Sequence, residues 1–156
     1  MGERARILVV DDDESIRKTL AAILEDEGYD VDTVKNGKGA IQKTNARFYN
    51  LTLVDIRLPD MEGVKLLTAM RETTPKMIKI VITGYPSVQN AIAAVNKDAD
   101  AYLVKPLDIA ALLQTIKEHL KKQQQAKKYS EEKVTEFIQT RVKEIEEETT
   151  PLKKTR

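Results

Sequence analysis

Short apolar runs of strand length alternate with amphipathic helical segments over the first 120 residues, and this alternation constrains the fold more than any other feature of the chain. Ile7-Leu8-Val9-Val10, Leu51-Thr52-Leu53-Val54, Ile78-Lys79-Ile80-Val81-Ile82 and Ala101-Tyr102-Leu103-Val104 are too short for helices and rich in Leu or β-branched residues, the pattern of buried strands. Val31-Asp32-Thr33-Val34 alternates, as a more exposed strand does. Between them Ile16, Leu20, Ile23 and Leu24 recur at helical spacing, and Gly28 closes that helix as a C-terminal cap. Ile109, Leu112, Leu113, Ile116 and Leu120 do the same behind Asp108, an N-cap residue. Five strands alternating with five helices need right-handed crossovers, which put helices on both faces of a parallel sheet. The expected fold class is α/β: a doubly wound, five-stranded parallel sheet in three α/β/α layers.

In an open parallel sheet, ligands bind outside the carboxyl ends of the strands. Here those ends carry Asp11-Asp12, Asp55, Thr83-Gly84 and Lys105-Pro106, so carboxylates, a hydroxyl and an ammonium converge on one edge. Nucleotide-binding sheets place a Gly-rich turn after the first strand so that backbone N–H groups receive phosphate. This chain has Asp11-Asp12-Asp13 there, which repels bare phosphate and suits a hard divalent cation such as Mg2+. Two unit charges about 4 Å apart repel by about 4 kcal/mol at an effective dielectric near 20, and a cation relieves that strain. Asp13 is read separately, as a carboxylate at the start of the first helix. The constellation is that of phosphoryl transfer to an aspartate.

Composition removes several competing chemistries. The chain has no cysteine and one histidine, His119, which rules out disulfides, a thiolate nucleophile or metal site, and a His-rich centre. His119 itself is expected on the solvent face of a helix. Met1–Arg6 has no signal-like apolar region and no segment reaches bilayer-spanning length, so a soluble, cytoplasmic protein without membrane contact is expected. Residues 1–120 carry 16 Lys and Arg against 18 Asp and Glu, and residues 121–156 carry 10 against 7. Neither part is basic enough to suggest direct nucleic-acid binding.

The order Ile-Leu-Val-Val-Asp-Asp-Asp, Leu-Val-Asp-Ile-Arg-Leu-Pro-Asp-Met-Glu-Gly (53–63), Val-Ile-Thr-Gly-Tyr (81–85) and Ala-Tyr-Leu-Val-Lys-Pro-Leu-Asp (101–108) resembles the receiver domain of two-component response regulators, of the chemotaxis-receiver type. The resemblance covers about residues 5–120. It implies the flavodoxin-like strand order 2-1-3-4-5. It also implies that Asp55 is the phosphoacceptor, taking its phosphoryl group from a histidine kinase or phosphotransfer protein. Mg2+ (or Mn2+) would be held by Asp12 and Asp55, with Asp11 close by, and by the backbone carbonyl of Arg57. Lys105 would pair with the phosphoryl oxygens and Thr83 would donate to one of them, while a cis bond before Pro106 would aim Lys105 into the site. Thr83 and Tyr102 would form the switch, Tyr102 turning from exposed to inward on phosphorylation and reshaping the face of the fourth helix, fifth strand and fifth helix for a downstream protein effector. Arg57 and Tyr85, both bulky, flank the path of hydrolytic water and imply slow self-dephosphorylation. Gly84 leaves room above the phosphoryl group.

The expected boundaries are a receiver at 1–122 and a linker with an amphipathic helical tail at 123–156. Lys121–Lys128 either extends the last helix or acts as a linker, and Ser130-Glu131-Glu132 has the look of a new helix start. Val134, Phe137, Ile138, Val142 and Ile145 form one apolar stripe behind it, and residues 149–156 look disordered. Such a helix must pack on something: the receiver, a second chain or a further domain. A homodimer has two candidate surfaces, the face of the fourth helix, fifth strand and fifth helix, and the C-terminal helix. Two other functions are open to the same residues. An aspartate-nucleophile phosphohydrolase needs a second Asp two residues after the nucleophile, where Arg57 stands; a receiver-like interaction module would never be phosphorylated. An enzyme with external substrates is therefore not expected.

Overall fold

In the computed structural model, which describes residues 4–154 and the side chains of residues 4–148, strands and helices alternate without interruption. In order they are β1 (Arg6–Val10), α1 (Glu14–Asp26), β2 (Asp30–Val34), α2 (Gly37–Ala46), β3 (Leu51–Asp55), α3 (Gly63–Ala69), β4 (Ile78–Thr83), α4 (Val88–Asn96), β5 (Ala101–Val104) and α5 (Ile109–Lys154). The sheet is entirely parallel with strand order β2-β1-β3-β4-β5, so the fold class and topology are as the sequence implies.

The two-residue period of the strands sorts their side chains into two cores. Ile7, Val9, Leu51, Leu53, Ile78, Ile80 and Ile82 face one way, onto Leu20 and Leu24 of α1 and Leu112 and Ile116 of α5. Leu8, Val10, Val54 and Val81 face the other way, onto Val64, Leu66 and Leu67 of α3, Ala40 of α2 and Ala94 of α4. Both faces of β1, β3 and β4 are buried, which is why these runs are apolar throughout. Truncating a core residue such as Leu24 to alanine costs about 2–5 kcal/mol. β5 is an edge strand: Ala101, Tyr102 and Leu103 are half-buried and Val104 is exposed, so it is less buried than its sequence suggests.

Local chemistry sets the helix ends. The Asp13 carboxylate accepts the Ile16 N–H and caps α1. Gly28 beyond its C-terminus has φ +96°, which only glycine adopts freely. Asp108 accepts the Ala111 N–H at the start of α5. Cis peptide bonds precede Pro75 and Pro106.

The chain divides into two compact units at Lys121–Lys122. α5 is one continuous helix in place of the expected fresh start at Ser130, because residues 121–130 contain no Gly or Pro to break it. His119 is half-buried where a solvent-facing residue is expected, its Nδ1 donating to the Thr115 carbonyl. Residues 149–156 are expected to be disordered, but the backbone of α5 stays helical through Lys154; the side chains from Thr149 onward and all of Thr155 and Arg156 lie outside the described residues.

Candidate functional site

Strand order brings the four polar strand ends together. β1, β3, β4 and β5 are neighbours in the sheet; Asp55 and Thr83 are the last residues of β3 and β4, and Asp11 and Lys105 follow β1 and β5 directly. The ladder continues past the strands, with the Ile56 N–H donating to Ile82 O and the Lys105 N–H to Thr83 O at 2.8 Å. Backbone pairing therefore fixes these side chains next to one another.

At the centre, Lys105 Nζ lies 3.1 Å from Asp11 Oδ2 and 3.1 Å from Asp55 Oδ2, dividing one positive charge between two buried carboxylates. The other oxygens also have partners: Asp11 Oδ1 accepts the Asp13 N–H at 2.9 Å, and Asp55 Oδ1 accepts the Arg57 N–H at 3.0 Å. Arg17 of α1 donates to the Asp11 carbonyl at 2.7 Å and ties down the acidic turn. Burial pushes the Asp11 carboxyl above its usual range, and the Asp55 charge adds to this against the opposing Asp13 N–H and Lys105. Burial works against the Lys105 ammonium too, yet Asp11 and then Asp55 outweigh it and raise its pKa.

Asp11, Asp12 and Asp55 each offer one carboxylate oxygen within 4.8 Å of the others, with Asp12 exposed to solvent. Three carboxylates against one ammonium leave an excess of negative charge. The donors are all hard oxygens, so the set fits a divalent cation of the Mg2+ or Mn2+ kind. Thr83 is fully buried, its Oγ1 accepting the Tyr85 N–H at 2.9 Å. Arg57 and Tyr85 are exposed and in contact, the guanidinium carbon 3.8 Å from the ring centroid, a cation–π stack joining the β3–α3 and β4–α4 loops. Tyr102 already packs inward against the α3 and α4 core, although the sequence implies an exposed starting position. Its hydroxyl is buried without a hydrogen-bond partner. At Gly84 a Cβ would meet only Lys105 Cδ at 3.8 Å, an ordinary contact, so this position tolerates alanine.

Three supporting residues escape the sequence reading. Gly63 at the start of α3 lies so close to the end of β3 that a Cβ would sit 2.2 Å from the Asp55 carbonyl oxygen. Glycine next to a predicted turn is the signal that could have found it. The Asp60 carboxylate, in the β3–α3 loop, accepts the N–H groups of Gly37 and Lys38 at 2.9 Å each and so latches that loop to the start of α2. Lys79 of β4 is buried and donates to the Leu67 carbonyl in the last turn of α3 at 2.6 Å, an ammonium placed on the negative end of a helix.

A doubly wound 2-1-3-4-5 sheet with an acidic triad and a lysine at its carboxyl edge defines a receiver, and the chain belongs to the response regulator receiver domain family, whose model matches residues 7–117. It is 39% identical over 119 residues to the transcriptional regulatory protein ZraR of Klebsiella oxytoca, an alignment covering 76% of this chain and 27% of that protein. A crystal structure of a CheY-like receiver domain protein from Methanospirillum hungatei JF-1 is 43% identical with a TM-score of 0.76, over 80% of this chain and 99% of that one. A response regulator from Burkholderia pseudomallei, solved with a phosphorylated aspartic acid, calcium ion and citrate, is 30% identical with a TM-score of 0.66, over 79% and 72% of the two chains. The chain spans from about a quarter to about half of the length of the curated relatives it matches. It is a receiver domain of the two-component response regulator type. Among the described residues no helix is long and apolar enough to cross a membrane.

Proposed function

We propose that the chain is a phosphorylation-driven signalling switch in the cytoplasm, with Asp55 as acceptor and protein contact as output. The observation that carries this reading is the Lys105 ammonium shared at 3.1 Å between Asp11 and Asp55, next to a fully buried Thr83 hydroxyl. A carboxylate oxygen of Asp55 attacks the phosphorus of a phosphohistidine on a histidine kinase or phosphotransfer protein. The P–N bond breaks as the P–O bond forms, and the imidazole leaves with the bonding pair. Asp11, Asp12, Asp55 and the backbone carbonyl of Arg57 would hold a divalent cation, Mg2+ or Mn2+, which when bound would supply positive charge to offset that of the phosphoryl oxygens. Lys105 moves from its carboxylate pairing to a phosphoryl oxygen, and Thr83 donates its hydroxyl proton to another. Positioning and charge neutralisation are most of what phosphoryl transfer asks of a protein.

The donor protein has a place to dock. An open, mostly apolar groove of about 340 Å³ next to Lys105 is lined by Ile16, Thr19 and Leu20 of α1 and by Pro106, Leu107 and Ile109. On the output side, Val88, Ile92 and Val95 of α4 and Val104 of β5 are exposed, an apolar face for a downstream effector that shifts as Thr83 rearranges. The site is read as a switch that turns over only its own phosphoryl group, and the Arg57–Tyr85 stack slows that loss by covering the approach of water.

Incubation with acetyl phosphate and Mg2+, followed by intact mass, tests this reading. A gain of one phosphoryl group that is abolished by Asp55→Asn and by chelation is expected. No gain with any small donor in the presence of Mg2+ or Mn2+ would refute it.

A further inference from the structure

Asp12 is the one carboxylate of the acidic triad that no other group holds. Asp11 and Asp55 share Lys105, and each also accepts a backbone N–H. Asp12 is exposed, and among the described residues its carboxylate has no hydrogen bond or ion pair, although one of its oxygens lies within 4.8 Å of those of Asp11 and Asp55. Its direction therefore rests on the backbone on either side of it.

Two peptide planes flank Asp12, and one contact pins each. The plane that follows carries the Asp13 N–H, which donates to Asp11 Oδ1 at 2.9 Å. The plane that precedes carries the Asp11 carbonyl, which accepts from the Arg17 guanidinium at 2.7 Å. One plane further back, the Asp11 N–H donates to Val34 O at 3.2 Å and anchors the turn to the end of β2. Arg17 is not placed there for its own helix. It is the fourth residue of α1, in the first turn, where the positive end of the helix dipole disfavours a cation. Its side chain is half-buried and crosses to the acidic turn instead.

We infer that Arg17 is a positioning residue for the divalent cation. By fixing the plane of the Asp11–Asp12 peptide it sets the direction in which the Asp12 side chain leaves the turn, toward the carboxylates with which it would hold the ion. This rests on reading the strand edge as a divalent-cation site, and adds to it a residue that touches no ligand. The sign of the effect separates positioning from charge. A guanidinium beside an acidic turn repels a cation, so on charge alone its removal tightens binding. As a positioning residue its removal weakens binding, because Asp12 loses the preorganisation that the pinned plane provides.

Titration of the full chain with Mg2+, without phosphodonor and followed by backbone amide shifts in NMR, tests this and shows from the same spectra whether each variant is folded. Arg17→Met should bind Mg2+ roughly fivefold or more weakly than the parent, against the direction that charge predicts. Added to Asp12→Ala, the same substitution should change affinity by less than about twofold, since its effect runs through Asp12. If Arg17→Met does not fold, Arg17→Gln, which also removes the charge and shortens the reach, takes its place with the same two expectations. Unchanged or tighter binding by the single variant overturns the inference, as does a further loss of more than about twofold in the Asp12→Ala background. A parent chain that binds no Mg2+ overturns the cation site itself, and this inference with it.

Discussion

Replacing Lys105 by methionine keeps the length and most of the volume of the side chain while removing the charge that holds two carboxylates together. At 3.1 Å and an effective dielectric near 20, each Lys105–carboxylate contact is worth about 5 kcal/mol before solvation is counted. Burial of the ammonium opposes much of this, as the competing influences on its pKa show. The side chains of Asp11 and Asp55 are only 6% and 9% exposed, so removing their shared partner leaves two uncompensated charges close together. Losing one partner of a fully buried pair costs 3–5 kcal/mol; with Lys105 itself 21% exposed, about 2–3 kcal/mol is expected without divalent cation. For a unit of this size that lowers Tm by roughly 6–15 °C. The same excess negative charge should bind Mg2+ more tightly, and a tenfold gain in affinity returns about 1.4 kcal/mol at saturating metal. Thermal unfolding of both proteins with and without Mg2+ therefore has two signatures: a lower Tm for Lys105→Met without metal, and a larger Mg2+-dependent rise for the variant. Equal stability without metal, or equal Mg2+ increments, would refute the reasoning that Lys105 serves as the counter-ion of this site.

Opening the Arg57–Tyr85 stack with Arg57→Ala and Tyr85→Ala should speed loss of the phosphoryl group severalfold, measured as the decay of the phosphorylated mass after donor removal; an unchanged half-life would show that the stack does not exclude water. Tyr102→Phe deletes a buried hydroxyl that has no partner and should raise stability by about 1 kcal/mol in denaturant titration, whereas Tyr102→Ala opens a cavity and should lower it by at least 2 kcal/mol. Finding Tyr102→Phe less stable than the parent would mean that the hydroxyl is satisfied after all. The Gly37 and Lys38 N–H groups hold the Asp60 carboxyl below its usual range, so its contribution is present above the ordinary carboxylate pKa and is lost as pH falls through the depressed folded value. Asp60→Asn should accordingly flatten the acid limb of the stability profile below about pH 4, and an unaltered limb would dismiss the latch.

How much of this was legible in the sequence depended on whether a residue's partner is local. The site was readable because each member follows a strand-like run, and a parallel sheet places every such end on one edge whatever the loops do. Asp55, Thr83 and Lys105 could thus be grouped although 50 residues separate the first from the last. Asp60 could not, because its partners are the free N–H groups of a helix 22 and 23 residues upstream, brought near only by the fold. Lys79 was hidden inside an apolar run; its position on the α3 and α4 face follows from the strand period, but the carbonyl that receives its proton belongs to another element. Tyr102 was misplaced although the strand period puts it on the α3 and α4 face, opposite Ala101 and Leu103, because the exposed starting position came from the resemblance and not from the residues. The tail shows local signals over-read: Ser130-Glu131-Glu132 has the composition of a helix start, but a helix ends only where something stops it, and the lysines and glutamines before Ser130 do not.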